Sequence, residues 1–442
     1  LFRLNPASEV FNFRINRTVL TSTLGRQTVA YFASQVVNAG LGLAVTIILT
    51  RTLSTPDFGI VSFVLTYLVL TSVLFDFGLS SASMRLMAVT KDDGELKAGM
   101  AAACMPALRN GMIFSLFVIL TCVILYLSIS VFRVVDLPVE TVYVLLAVAL
   151  LAPSIVAQDF IVSILQGANR MYLLSLFIPL AKLFFLVFYV VILAAGMQAA
   201  LPAALTTLAG TAVSCVIPVL VLRPGWSAWK SGRERVRKEI REYGRHVYAG
   251  RIVDGLTNGL DKILITLFHG VVAGGIYSVA FFMTIPVGML SRALTGSAYK
   301  RFAEMDRIPA SMLWFNAAWC VAGGAVLVVL CEMLVPVIFP AAYGSSLAVL
   351  PLLTLGAALS GLNQPFHTYL AARRHGRAIK IMSVTTSAVN IAANFALVPF
   401  YSMYGAGFAL VLSYGLNILM NVHFYRAALR TEVHGNANTE IQ

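Results

Sequence analysis

Charge is what this chain has little of. Only 12% of its 442 residues are Asp, Glu, Lys or Arg, against 59% apolar, whereas a soluble domain carries roughly a quarter charged residues. That balance excludes an ordinary soluble globular fold. Cysteine is scarce as well: Cys104, Cys122, Cys215, Cys320 and Cys331 are scattered and odd in number, so neither a disulfide nor a metal site is expected. The six histidines (His246, His269, His367, His375, His423 and His434) lack metal-ligand spacing. Only His367 falls well inside an apolar run, where a lone histidine more often bonds a neighbouring helix. No His-Glu-x-x-His, Asp-x-Asp or Walker A pattern appears, which leaves enzymatic chemistry without a foothold and gives no reason to expect a cofactor. Long polar stretches are missing too, so any function has to reside in the apolar segments and the space between them.

What is present is a series of apolar runs long enough to cross a bilayer, each needing about 20 residues. Twelve are expected, at about 28–50, 58–80, 108–131, 141–165, 172–195, 199–222, 247–269, 274–297, 312–335, 346–370, 379–400 and 404–427. The fold class is therefore all-α integral membrane, with bundles of six helices over 28–222 and 247–428. A basic interfacial linker at 223–246 joins them, and short segments at 1–27 and 429–442 flank them. The first of these is polar and basic without an apolar core, unlike a secretory signal. A net charge of +13 need not mean nucleic acid, because topology explains excess Lys and Arg first. With the N-terminus inside, 27 of the 32 Lys and Arg fall on inner segments, and the outer loops carry only Arg51 and Arg133. Both termini are expected in the cytoplasm. The linker, with Arg233-Glu234-Arg235-Val236-Arg237-Lys238, is a solvated connector that can also meet anionic headgroups.

The two bundles read as copies. At a constant offset, Gly59, Ile60, Ser62, Ser81, Ala82 and Arg85 recur as Gly275, Ile276, Ser278, Ser297, Ala298 and Arg301. Internal duplication is the usual construction of a transporter, with a central cavity at the repeat interface. Polar residues inside the spans mark candidates for that cavity. Tyr31, Gln35, Asn38 and Gly42 share one face of the first span. Asp76 lies in a serine stripe in the second, Gln158 and Asp159 in the fourth, and Lys182 is too deep in the fifth to snorkel. The seventh span carries Arg251, Asp254, Asn258, Asp261 and Lys262, at a cost of roughly 2.5–3.5 kcal/mol for each charge near mid-bilayer. Arg292 in the eighth is a further cation. Pro286, Pro351 and Pro365 sit inside spans, where proline bends a helix.

Arg51-Thr52-Leu53 through Asp57-Phe58-Gly59, Asp76-Phe77-Gly78-Leu79 to Arg85, Leu260-Asp261-Lys262-Ile263 through Gly275-Ile276-Tyr277-Ser278, and Leu397-Val398-Pro399-Phe400 through Tyr404-Gly405-Ala406-Gly407 stand in an order that resembles the polysaccharide transport family. These are bacterial flippases of O-antigen and exopolysaccharide repeat units within the multidrug/oligosaccharidyl-lipid/polysaccharide superfamily, and the resemblance covers about 26–430. It implies a flippase of the bacterial inner membrane moving undecaprenyl-diphosphate-linked oligosaccharide by alternating access. Membrane lipids, a polysaccharide polymerase and a chain-length regulator are the other partners it implies, and nucleic acid is not one. A diphosphate needs cationic donors, for which Lys182, Arg251, Lys262 and Arg292 are the candidates. Gln35, Asn38, Gln158, Asn258, Tyr31 and Tyr277 are candidates for a wet sugar lining, and Asp76, Asp159, Asp254 and Asp261 for tuning the charge or carrying a coupling ion.

Three other readings compete. A lipid II flippase usually has two further helices, and a multidrug exporter favours acids over a lysine-containing cavity. A membrane glycosyltransferase or polymerase usually presents a sizeable outer loop, whereas the outer loops here are short, with Arg51, Asp57, Arg133, Asp136 and Glu140 among their few charges.

Overall fold

The computed structural model describes residues 23–90, 92–131, 137–226, 229–257, 259–373 and 375–439. Arg133 and Asp136 of the outer loop and nearly all of the polar N-terminal segment lie outside these. No strand occurs among the described residues. Nine helices are long and apolar enough to span a membrane, and a bent pair makes a tenth. Their outward faces are hydrocarbon: Met112, Leu176, Leu220 and Leu419 are each more than two-thirds exposed, which suits lipid and not water.

Several expected spans are interrupted, and the sequence gives local reasons. The second runs as a helix from Thr55 to Ser72 and a short 3-10 turn to Phe75, then breaks. Phe77 (φ 47°) and Gly78 (φ 78°) are left-handed, a conformation easy only for glycine. Gly78 is also required by contact, because a Cβ there would come within 2.5 Å of the Gly244 backbone. The helix Leu79–Val89 then restarts with Asp76 as its cap, the carboxylate accepting from the Ser80 amide at 3.0 Å and from the Ser80 hydroxyl. This supplies an orphan donor of the first turn.

The fourth span is the bent pair, Val139–Val148 and Pro153–Gly167, at 52°. Pro153 opens the second piece, where its missing N–H costs nothing. The seventh divides into Arg245–Thr257 and a part beginning at Leu260, with Gly259 left-handed (φ 101°) between them. No loop separates it from the eighth, since the two are joined at Gly270. The same happens in Gly376–Thr439, where Ser402 is the kink.

One apolar core runs through both halves. Val64, Leu68, Phe114, Val118 and Leu145 of the first half continue into Val271, Ile276, Val279 and Tyr343 of the second. At this junction a Cβ on Gly59 would fall 2.1 Å from the Val271 carbonyl oxygen, and one on Gly275 would fall 3.1 Å from the Gly59 Cα. Ser62 and Ser278 share a hydrogen bond of 2.6 Å beside them. At the same end, the Arg51 guanidinium donates to the Ile338 and Val337 carbonyls at 2.7 and 2.8 Å, and Phe58 packs edge-on against Tyr343.

The basic linker is a packed element. Its helix Trp229–Glu239 buries Val236 at 2% exposure and brings Gly232 onto the Ala98 backbone of Asp93–Ser130. Arg85 and Arg235 hold it through Glu239 and Glu95 respectively.

Candidate functional site

Between these helices lies a cavity of about 610 Å³. Four breaks or close approaches shape it. Asp76 enters from the interruption after Phe75, and Gln158 and Asp159 from the second piece of the bent pair. Lys182 comes from the middle of Met171–Ala194, and Arg251 from the detached first part of the seventh span. Asn38 completes the polar lining, with Val69, Val156, Phe177 and Phe282 among the apolar wall.

Arg251 is shared. Its guanidinium lies 2.6 Å from an Asp159 oxygen and 3.4 Å from Asp76. The two acids are not equivalent, because Asp76 is only 5% exposed while the Asp159 side chain is 49% exposed to the cavity. Tyr248, one turn before Arg251, donates to the Leu74 carbonyl, so the Arg245–Thr257 helix is anchored on the break that presents Asp76.

Lys182 is placed differently. Its ammonium donates to the Asn38 carbonyl at 2.7 Å, and no carboxylate pairs with it among the described residues. An ammonium has three donors, so two remain for an incoming acceptor. Gly42 makes the room, since a Cβ there would sit 2.7 Å from the Lys182 nitrogen. Over the whole lining, Lys182 and Arg251 offset Asp76 and Asp159 to zero formal charge, and Lys182 carries the locally uncompensated positive end.

The other sequence candidates lie elsewhere. Tyr31 is half-buried and packs against the apolar cluster of Leu79, Phe160 and Leu165. Gln35 is half-buried and does not line the cavity. Tyr277, expected on a wet wall, is wholly buried and donates its hydroxyl to Asp261, itself 8% exposed. Lys262, next to that acid, stacks its ammonium 4.7 Å above the Phe281 ring. Arg292 is exposed and folds back along its own helix over Gly288. These four are outside the first-half cavity because Leu260–Glu304 turns them toward the interior or flank of the second half. The Asp254 side chain and Asn258 lie outside the described residues.

Sequence reasoning passed over Thr46, Ser72, Thr207 and Thr211, which also line the cavity. Thr207 and Thr211 were legible as a pair spaced by one helical turn. Their hydroxyls donate to the Ala203 and Thr207 carbonyls at 2.8 and 3.0 Å, which leaves lone pairs for a ligand.

Comparison with known proteins fits this architecture. A multidrug resistance MATE family transporter of the MOP superfamily, in an inward-facing conformation, is similar with a TM-score of 0.67 at 15% identity, over 89% of this chain and 96% of that one. The lipid II flippase MurJ, inward closed, is similar with a TM-score of 0.66 at 12% identity, over 91% of this chain and 87% of that one. A MOP superfamily transporter from Pyrococcus furiosus, described as having a binding pocket of reversed polarity, is similar with a TM-score of 0.62 at 13% identity, over 91% and 96%. At these identities the likeness is one of fold. A sequence search of the curated proteins finds no match. Residues 24–306, well over half of the chain, match the profile of a family described as polysaccharide biosynthesis protein. The chain is thus a multi-pass membrane protein with the fold of the MOP superfamily, and it belongs to the polysaccharide biosynthesis protein family.

Proposed function

We propose that the chain is a flippase that moves undecaprenyl-diphosphate-linked oligosaccharide across the bacterial inner membrane by alternating access. The observation that carries this reading is Lys182, a cation in a membrane cavity held only by a backbone carbonyl. A buried charge without a counter-ion is costly, and an anionic headgroup entering the cavity supplies the missing partner. Asn38, Gln158 and the threonines give the sugar acceptors and donors, and the polyprenyl tail stays in the bilayer. Arg251 is the second diphosphate ligand, released from Asp76 and Asp159 as the headgroup arrives. The two acids then serve to take up a coupling ion, with an ion or voltage gradient driving the cycle.

In this reading the chain crosses the membrane twelve times. The nine long helices and the bent pair make ten, and the kinks at Gly270 and Ser402 divide two of them. Both termini are then cytoplasmic, and the bundles are related by a two-fold axis beside Ser62 and Ser278. The contacts of Arg51 and Tyr343 close the outer end.

A drug exporter is the second reading, favoured by the half-exposed Asp159 carboxylate, which suits an organic cation. Reconstitution in liposomes with a fluorescent undecaprenyl-diphosphate oligosaccharide separates the two. Transbilayer movement is expected in wild type and at least ten-fold slower in Lys182→Ala, under imposed proton, sodium or voltage gradients. Absence of movement in wild type, alongside efflux of a lipophilic cation, refutes the flippase.

A further inference from the structure

A second cavity, of about 500 Å³, opens at one end of the first half, apart from the site above. Three cations from three separate segments converge on it. Lys97 belongs to the first turns of Asp93–Ser130, Arg170 precedes Met171–Ala194, and Arg223 follows Ala200–Leu222. Asp93 is the acid in the lining and is paired with Lys97 at 2.7 Å, so the wall keeps an excess of two positive charges.

We infer that this cavity binds the phosphodiester headgroup of an anionic phospholipid. Three features argue for a built site and against the scatter of basic residues that topology alone produces. The segments are tied together, with the Gly225 amide donating to the Lys97 carbonyl at 2.9 Å, which fixes Arg223 beside Lys97. Beneath the cations, Leu96, Met100 and Leu222 form an apolar floor, useless to a soluble anion and suited to the first carbons of acyl chains. Tyr172 on its wall and Trp226 just beyond Arg223 are 49% and 47% exposed, the half-wet aromatics that mark headgroup depth. Cations at headgroup level attract anionic lipid by an amount that corresponds to about five-fold in affinity each. The site depends on the chain's being a membrane protein and not on what it transports.

Native mass spectrometry of the full chain in detergent tests this, with dioleoylphosphatidylglycerol, dioleoylphosphatidylcholine and glycerol 3-phosphate as probes. Wild type is expected to retain one phosphatidylglycerol in preference to phosphatidylcholine. The combined variant Lys97→Gln, Arg170→Gln, Arg223→Gln should lose about 100-fold in that affinity, three factors of about five. A control variant with Lys230→Gln, Arg237→Gln and Arg241→Gln, on the exposed face of the linker, should keep it. If the combined variant fails to fold, Arg223→Gln alone is expected to lose about five-fold. Equal loss in the control, or equal retention of phosphatidylcholine, overturns the proposal. Displacement of phosphatidylglycerol by glycerol 3-phosphate would make the site one for a soluble phosphate and overturn the lipid assignment.

Discussion

Removing Arg251 is expected to destabilise the fold through Asp76 and hardly at all through Asp159. The guanidinium touches both acids, so distance alone would rank Asp159, at 2.6 Å, as the stronger partner. Burial reverses that order. Asp76 is 5% exposed, and stranding a buried charge by deleting its partner costs about 3–5 kcal/mol. The pair with the half-exposed Asp159 falls in the range of about 0–1 kcal/mol. Arg251→Met should therefore lose about 3 kcal/mol, and Asp159→Asn less than about 1 kcal/mol. In an Asp76→Asn background the Arg251→Met loss should shrink by about 2 kcal/mol, because an amide at that position still accepts from Ser80 and leaves no charge behind. The assay is equilibrium unfolding of the four variants and wild type in mixed micelles, followed by circular dichroism. A loss in Arg251→Met that Asp159→Asn rescues and Asp76→Asn does not would refute the argument, since it would mean that contact distance and not desolvation decides.

Gly59→Ala places a methyl against the Val271 carbonyl, at a separation that real Cβ atoms do not adopt, so the halves must part there. Overpacking of about 1–3 kcal/mol should widen spin-label distances across that junction, whereas Gly40→Ala, with nothing within 4 Å, should leave them unchanged. Tyr277→Phe takes the hydroxyl from the buried Asp261 and should cost about 1.5–3 kcal/mol in the same unfolding assay. Tyr248→Phe, which loses a bond to a carbonyl, should cost about 0.5–1.5 kcal/mol; equal losses would argue that Asp261 is not ionised.

Composition and the length of the apolar runs were enough to read an all-helical membrane chain, because hydrocarbon tolerates no other economy of backbone hydrogen bonds in a chain like this. Asn38, Asp76, Gln158, Asp159, Lys182 and Arg251 were also legible one by one, since a charge or amide inside an apolar run has to face something polar. Their convergence was not legible. It depends on the break at Phe77-Gly78 and the bend before Pro153, which re-aim Asp76 and Asp159 toward Arg251. Tyr277 shows the opposite failure. Its position in the repeated Gly275 to Ser278 stretch spoke for a shared surface, but side chains on neighbouring helical positions point to different sides, and Ser278 took the junction while Tyr277 turned inward onto Asp261. Lys262 and Arg292 likewise satisfied the rule for intramembrane charge, and found a ring face and a backbone-side fold in place of the cavity.

The Gly232 contact with Ala98 carries a consequence for any experiment that cuts or lengthens the middle of the chain. A connector laid along a helix, with ion pairs at Glu95 and Glu239, is cargo of the first half. Slack added before Trp229 would leave the second half as firmly steered as before. The free joint lies further on, at Gly259, so that a few added residues there, and not in the conspicuously basic stretch, would let the two halves drift out of step.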